Sequence, residues 1–145
     1  RARFGLGQAL EAQRKHAAAI DSYRDVVARH SGASAARAQF QIGECLIALG
    51  NHQDAIAELV NVDAAYAEPE WSAAALYEVG RVLVMLNRPD DAARQFDEVA
   101  SRFPDSQWAA MAKNERTKLA PAALPGQRNA APAASERPAS LQGDR

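Results

Sequence analysis

The sequence predicts an all-α fold: an α-solenoid of three helix–turn–helix repeats, closed by a C-terminal capping helix and followed by a disordered tail. Three observations lead there. The blocks "FGLGQALEAQRKHAAAIDSYRDVVARHS" (from Phe4), "FQIGECLIALGNHQDAIAELVNVDAAYA" (from Phe40) and "YEVGRVLVMLNRPDDAARQFDEVASRFP" (from Tyr77) align without gaps, with Gly7, Gly43 and Gly80 spaced by 36 and 37 residues. Each block carries two stripes of apolar or small residues at offsets of three and four, the period of a helix face. Between the stripes each block breaks at a short turn.

Repeat one spans about residues 2–33. Phe4, Leu6, Gly7 and Leu10 mark its first helix, Arg14-Lys15 the turn, and Ala19, Ile20, Tyr23, Val26 and Val27 the second helix. Repeat two (34–69) repeats this with Phe40, Ile42, Gly43 and Leu46, then Gly50-Asn51, then Ala55, Leu59 and Val62. Repeat three (70–104) uses Tyr77, Val79, Gly80 and Leu83, then Asn87-Arg88-Pro89, then Ala92, Phe96 and Val99. Pro89 suits a first helical position, where no amide donor is needed, and Asp90 and Asp91 follow where the helix dipole favours negative charge. Gly50 and Asn87 suit the left-handed residue that ends a helix. His30, Tyr66 and Phe103 close the three units.

Glycine inside a helix costs about 1 kcal/mol relative to alanine. Its recurrence therefore points to close approach, with Gly7, Gly43 and Gly80 against the faces that carry Ala19, Ala55 and Ala92. Two short helices cannot bury their apolar faces alone, so each pair must stack on the next. After Phe103, Asp105 or Ser106 can cap a further helix. Trp108, Met111, Ala112 and Leu119 would form its apolar face, so residues 105–119 are expected to cover the last repeat. Residues 120–145 contain eight Ala and four Pro without periodicity, the composition of a disordered tail.

The chain has 145 residues, long enough for one domain with a core of its own. A formal net charge of −1 gives no electrostatic reason to expect nucleic acid or an anionic membrane as partner. No apolar run reaches the length of a transmembrane helix, so no membrane span is expected. Cys45 is alone and cannot form an internal disulfide, which leaves the redox compartment open. The sequence starts at Arg1 with no signal segment behind it, so it is expected to be a piece of a longer chain or a processed product.

No catalytic, cofactor or metal site is expected. His16 and His52 share one repeat slot and His30 shares another with Tyr66 and Phe103, which makes all three packing residues. No Cys-x-x-Cys or His-Glu-x-x-His spacing accompanies them. "FGLGQAL" only superficially resembles a dinucleotide fingerprint, because Leu10 replaces the third glycine and no strand precedes it. Cys45 reads as a packed small hydrophobe, and Asp90-Asp91 and Asp97-Glu98 as solvated helix charges.

These residues resemble the tetratricopeptide repeat (TPR) family, whose signature is a Leu-Gly pair, a large residue three on, an alanine, an aromatic and a closing proline. Leu6-Gly7, Ile42-Gly43 and Val79-Gly80 match the first element, Ala19, Ala55 and Ala92 the alanine, Tyr23 and Phe96 the aromatic, and Pro104 the proline. The resemblance covers residues 2 to about 119. It departs from the usual period of about 34, with the extra length between repeats. Junctions of the type Phe103-Pro104-Asp105-Ser106 resemble those of the bacterial envelope branch, which includes the Tol–Pal-associated cell-division coordinator and the lipoprotein of the outer-membrane barrel assembly machinery. That likeness implies a periplasmic scaffold.

In this family the first helix of each repeat lines a concave, ligand-binding face. The resemblance places a protein-binding groove at Gln8 and Glu11, at Gln41, Glu44, Ile47 and Ala48, and at Glu78, Arg81, Val84 and Met85. Glu11, Glu44 and Glu78 against Arg81 alone make it mildly acidic, suited to a neutral or basic segment that reversal of Glu44 and Glu78 to Lys should weaken. The run Val82–Leu86 is apolar all round, more than one buried stripe needs. Val84 or Met85 is accordingly expected to pack under the capping helix, with ligand contact as the competing role. The clamp of the chaperone-tail-binding subfamily would fall on Phe4, Gln8, Gln41, Ala74 and Glu78. None of these is basic, which disfavours that function.

The expected function is a non-catalytic protein–protein interaction scaffold that takes another protein or peptide segment. A periplasmic envelope-assembly or cell-division role is one alternative, and an accessory domain of an enzyme whose catalytic part lies upstream is another. Self-association is open, because an uncapped end of a solenoid can stack on a second copy.

Overall fold

The computed structural model describes residues 2–119; the predicted tail at 120–145 lies outside the described residues. The described residues form seven helices and no strand: α1 (Ala2–Ala12), α2 (His16–Arg29), α3 (Gly32–Ala48), α4 (His52–Ala65), α5 (Pro69–Met85), α6 (Pro89–Arg102) and α7 (Gln107–Lys118).

Helix ends follow local chemistry. The three turns inside the pairs are one structure repeated. Arg14, Gly50 and Asn87 take left-handed backbone at φ 59°, 79° and 56°. The amides that follow them reach back to close the preceding helix, Lys15 N to Leu10 O at 2.8 Å, Asn51 N to Leu46 O at 2.9 Å and Arg88 N to Leu83 O at 2.9 Å. This is a Schellman ending each time. Repeat one builds it on an arginine, a residue with no preference for that backbone. Pro69 and Pro89 open α5 and α6 at their first helical positions. Ser106, one of the two expected caps, accepts the Ala109 amide at 3.1 Å and starts α7.

Each helix packs on the next, and in addition α3 touches α5 and α5 touches α7. α3, α5 and α7 therefore form one row in contact, which a hydrogen bond from Gln41 to Glu11 extends to α1, while the even-numbered helices stack outside it. Two apolar cores run through the pile. One joins α2 and α3 through Ile20, Tyr23, Val26, Ile42 and Cys45, and the other joins α4 to α7 through Leu59, Val62, Val79, Phe96 and Ala112.

The close approach expected at the three glycines is present, on the face that carries each alanine. A Cβ on Gly7 would lie 2.5 Å from Tyr23 Cε1, and one on Gly43 2.6 Å from Leu59 Cδ2. On Gly80 it would come within 3 Å of three Phe96 ring carbons. The large residue one turn after each alanine fills the notch, and all three of these residues are fully buried.

An aromatic contact also repeats. Phe40 packs on Trp71 at 5.6 Å between centroids, and Tyr77 packs on Trp108 at 5.5 Å, one repeat further on. α7 is thus seated like the first helix of a further unit. It covers the stack through Trp108, Ala109, Ala112 and Leu119. Met111, expected on its apolar face, is 40% exposed. Val84 and Met85 are not packed beneath it, being 42% and 51% exposed. His30, read as a packing residue, is exposed, whereas Tyr66 and Phe103 in the same slot are half-buried.

Candidate protein-binding face

The ten residues predicted to line a groove all lie on α1, α3 and α5, in the inner row. They fall into rows across the repeats. Gln8, Glu44 and Arg81 share one slot, Glu11, Ile47 and Val84 the next, and Ala48 and Met85 another, with Gln41 and Glu78 equivalent one turn earlier. Gln8, Ala48, Arg81, Val84 and Met85 are exposed, Glu11, Gln41, Glu44 and Ile47 are half-buried, and Glu78 is buried at 7% exposure.

Two of the three acids are already engaged. Glu11 accepts a hydrogen bond from the Tyr23 hydroxyl and another from Gln41 Nε2 at 3.1 Å, which ties α1 to α2 and α3. Burial, then Glu11 beside it, pushes the Tyr23 hydroxyl well above the usual tyrosine range. Glu78 accepts from Arg81 Nη1 at 3.0 and 3.3 Å, and that pair raises Arg81 in turn. Glu78 was expected as an open groove acid. The structure makes it the buried half of an ion pair with Arg81, one turn further along the same helix.

Glu44 is different. Its Oε1 is buried and has no hydrogen-bond partner. Burial and then the Glu78 carboxylate push its carboxyl up to about 7, with Arg81 pulling the other way. Two ionised carboxylates have no proton between them to donate, so Glu44 and Glu78 can hydrogen-bond only by sharing one. The face therefore offers one acid without a hydrogen-bond donor, between Gln8 and Arg81 in its row and near the exposed Val84 and Met85 in the neighbouring rows. A carboxyl that titrates near neutrality is also the sort of group found in catalytic sites; the charged groups that act on this one are Glu78, Arg81 and Glu11.

Cys45 is fully buried, and burial followed by Glu11 raises its thiol to about 12, so it is a packed group and not a nucleophile. His16 and His52 begin α2 and α4 half-buried, each with Nδ1 enclosed and without a partner. Among the described residues, no group of three His, Cys, Asp or Glu is placed to hold a metal ion. No helix of the described residues is long and apolar enough to cross a membrane.

Sequence reasoning missed the Tyr23–Glu11–Gln41 network, since Tyr23 was read only as a packing residue. It also missed a cleft between α1, α2 and α3 lined by Phe4, Gln8, Arg29, His30 and Arg37. Arg37 stacks over the Phe4 ring at 4.2 Å there. Ser34 stands in the slot that Trp71 and Trp108 occupy further along, and its lack of an aromatic was the available signal.

Residues 4–68 and residues 74–106 each match a family model for the tetratricopeptide repeat. Among solved structures, the nearly identical TPR-like repeats of a kinesin light chain candidate from Podosopora anserina superpose with a TM-score of 0.61 at 17% identity. A single-site variant of that protein gives 0.62 at 17% identity. Each match covers 81% of this chain but only 63–64% of the other. No curated protein matches.

Proposed function

We propose that this chain, which belongs to the tetratricopeptide repeat family, is a non-catalytic scaffold that binds a protein segment along its inner helical row. The observation that carries this reading is the exposure of Val84 and Met85, 42% and 51%, on the last turn of α5, while Ile47 in the equivalent slot of α3 is half-buried. Exposed apolar side chains at the open end of a groove are a favourable place for a partner to gain buried area.

Glu44 sets the chemistry of that partner. A lysine or arginine side chain laid across the row would give Oε1 the donor it lacks and hold the carboxyl ionised. A neutral segment would be accepted with Glu44 protonated. On the same reading residues 1–119 act as the binding unit. The Phe103–Ser106 junction, where Ser106 caps α7, supports placing it in the bacterial envelope branch and hence in the periplasm.

The test is photo-crosslinking from position 84 in the native host, with a crosslinker at Asp97 on α6 as the control. A discrete protein captured from 84 and absent from 97 is expected, and Glu44→Lys should reduce that capture when the partner segment is basic. Capture of nothing but the chain itself from position 84 would overturn the groove.

A further inference from the structure

The inner row reverses its charge at α3. The slot that Gln8 and Glu44 share continues as Arg81 in α5 and Lys118 in α7, and the slot one turn before it runs Gln41, Glu78 and Glu115. In α5 and α7 the two slots form an ion pair within the helix, Glu78 with Arg81 at 3.0 Å and Glu115 with Lys118 at 2.9 Å. In α3 they hold Gln41 and Glu44, so an acid stands where the next two repeats place a cation. Those two repeats carry their own cation, whereas α3 must take one from outside or keep a proton.

The neighbours of Glu44 leave it that choice. On α5, buried Glu78 lies against it and accepts from Arg81 Nη1 at 3.0 and 3.3 Å, so the one nearby cation is already bonded. On α1, Glu11 is taken by the Tyr23 hydroxyl and by Gln41 Nε2. α2 brings Tyr23 itself, and α4 brings Glu58, bonded to Gln39 and Arg24, and half-buried His52 at its start. Glu44 Oε1 is enclosed without a donor. Three acids surround one arginine here, so with Glu11 and Glu78 charged the cluster stands at −2 when Glu44 is ionised and at −1 when it holds a proton.

We propose that Glu44 and Glu78 form a proton-gated seat for one arginine or lysine side chain of the segment bound along the inner row. The seat presupposes the binding face proposed above and adds its regulation. With a proton shared between the two carboxyls, Glu44 offers no charge to a cation. When the cation arrives that proton leaves to water, and the guanidinium or ammonium bonds the freed carboxylate as Arg81 bonds Glu78. Burial and then the Glu78 carboxylate hold Glu44 at about 7, so the exchange falls near neutrality. Below that pH the proton competes with the cation, and above it the carboxylate is free. Affinity for a cationic side chain therefore rises with pH, about tenfold for each unit below the folded pKa, and levels off above it.

The probe is N-acetyl-arginine amide, with N-acetyl-citrulline amide as its uncharged isostere. Each is titrated into the 145-residue protein and followed by NMR, through the Glu44 carboxyl carbon and the backbone amides of α3 and α5. The arginine compound should bind at pH 8.5 and about tenfold or more weakly at pH 5.5, and should lower the midpoint of the Glu44 titration. The citrulline compound should do neither. Glu44→Gln keeps the shape of the protonated acid, so circular dichroism should stay unchanged while both the binding at pH 8.5 and its pH dependence are lost. Absence of arginine binding at pH 8.5, equal affinity at the two pH values, equal binding of citrulline, or a pH dependence that survives Glu44→Gln each overturns the seat. A single residue needs no peptide groove, so the two readings fail separately. Crosslinking from position 84 without pH-dependent arginine binding keeps the scaffold and removes the gate, and the converse keeps the seat and removes the groove.

Discussion

Glu44 of α3 and Glu78 of α5 press their carboxylates together across the inner row, and Arg81 bonds only Glu78, so the repulsion falls on Glu44. Burial, and then the Glu78 carboxylate beside it, pushes Glu44 towards neutrality.

Stability should carry the mark of this pair. The folded pKa of Glu44, about 7, lies above its ordinary 4.5, so the folded state binds a proton more tightly than the unfolded one. Its contribution is thus fully favourable below about pH 4.5 and is lost as pH rises towards 7. Glu44→Gln, which mimics the neutral acid, should raise the urea midpoint at pH 8 and leave it nearly unchanged at pH 4.5. The expected gain at pH 8 is on the order of 1 kcal/mol. An equal effect at both pH values would show that Glu44 does not titrate in this window.

Gly80→Ala should destabilise, although alanine is the better helix former by about 1 kcal/mol. The added methyl meets the Phe96 ring, which is fully buried and has no room to withdraw. Overpacking of this kind costs about 1–3 kcal/mol, so a net loss of up to about 2 kcal/mol in urea unfolding is expected. Gly5→Ala is the contrast, since nothing lies within 4 Å of the new atom, and it should stabilise through propensity alone.

Cys45 should resist thiol reagents in the folded protein. It is fully buried with its thiol raised to about 12, so both access and thiolate are missing at pH 8. Labelling with a disulfide reagent should be slow in buffer and complete in denaturant. Fast labelling in buffer would mean that the α2–α3 core opens readily.

Asp63 and Arg102 join α4 to α6 through a two-bond pair that is partly exposed, 22% and 42% at the side chains. A double-mutant cycle with Asp63→Ala and Arg102→Ala should return a coupling of about 0.5–1 kcal/mol. Hydrogen bonding to Arg102 lowers the Asp63 pKa below its ordinary 3.8, so this contribution is present above that pH and lost as pH falls through the lowered value. A coupling indistinguishable from zero at low salt would make the pair a passive surface contact.

The helices and their order were legible because they rest on local rules. A period of three and four residues, prolines at first turns and left-handed turn residues act within a few positions of the chain. Gly7, Gly43 and Gly80 could be recognised as notches from recurrence alone. The occupants of those notches could not, because Tyr23, Leu59 and Phe96 are chosen by the angle at which two helices cross.

The face was legible only as a set of positions. That Gln8, Glu44 and Arg81 share a slot follows from counting residues. The Glu78–Arg81 pair lies three residues apart on one helix, but that Glu11 is taken by Tyr23 and Gln41, and that Glu44 is left without a donor, depends on how separate helices are placed against one another. Val84 and Met85 show the same limit: the sequence marked them as surplus apolar residues, and only the packed structure shows that they stay in water and not under α7. By itself the sequence determined the repeat, its helices and its turns, since these are settled by contacts close along the chain. The tertiary structure alone decided which charges are neutralised and which apolar faces remain open, because desolvation and pairing depend on what the stacked neighbours bring within a few ångströms.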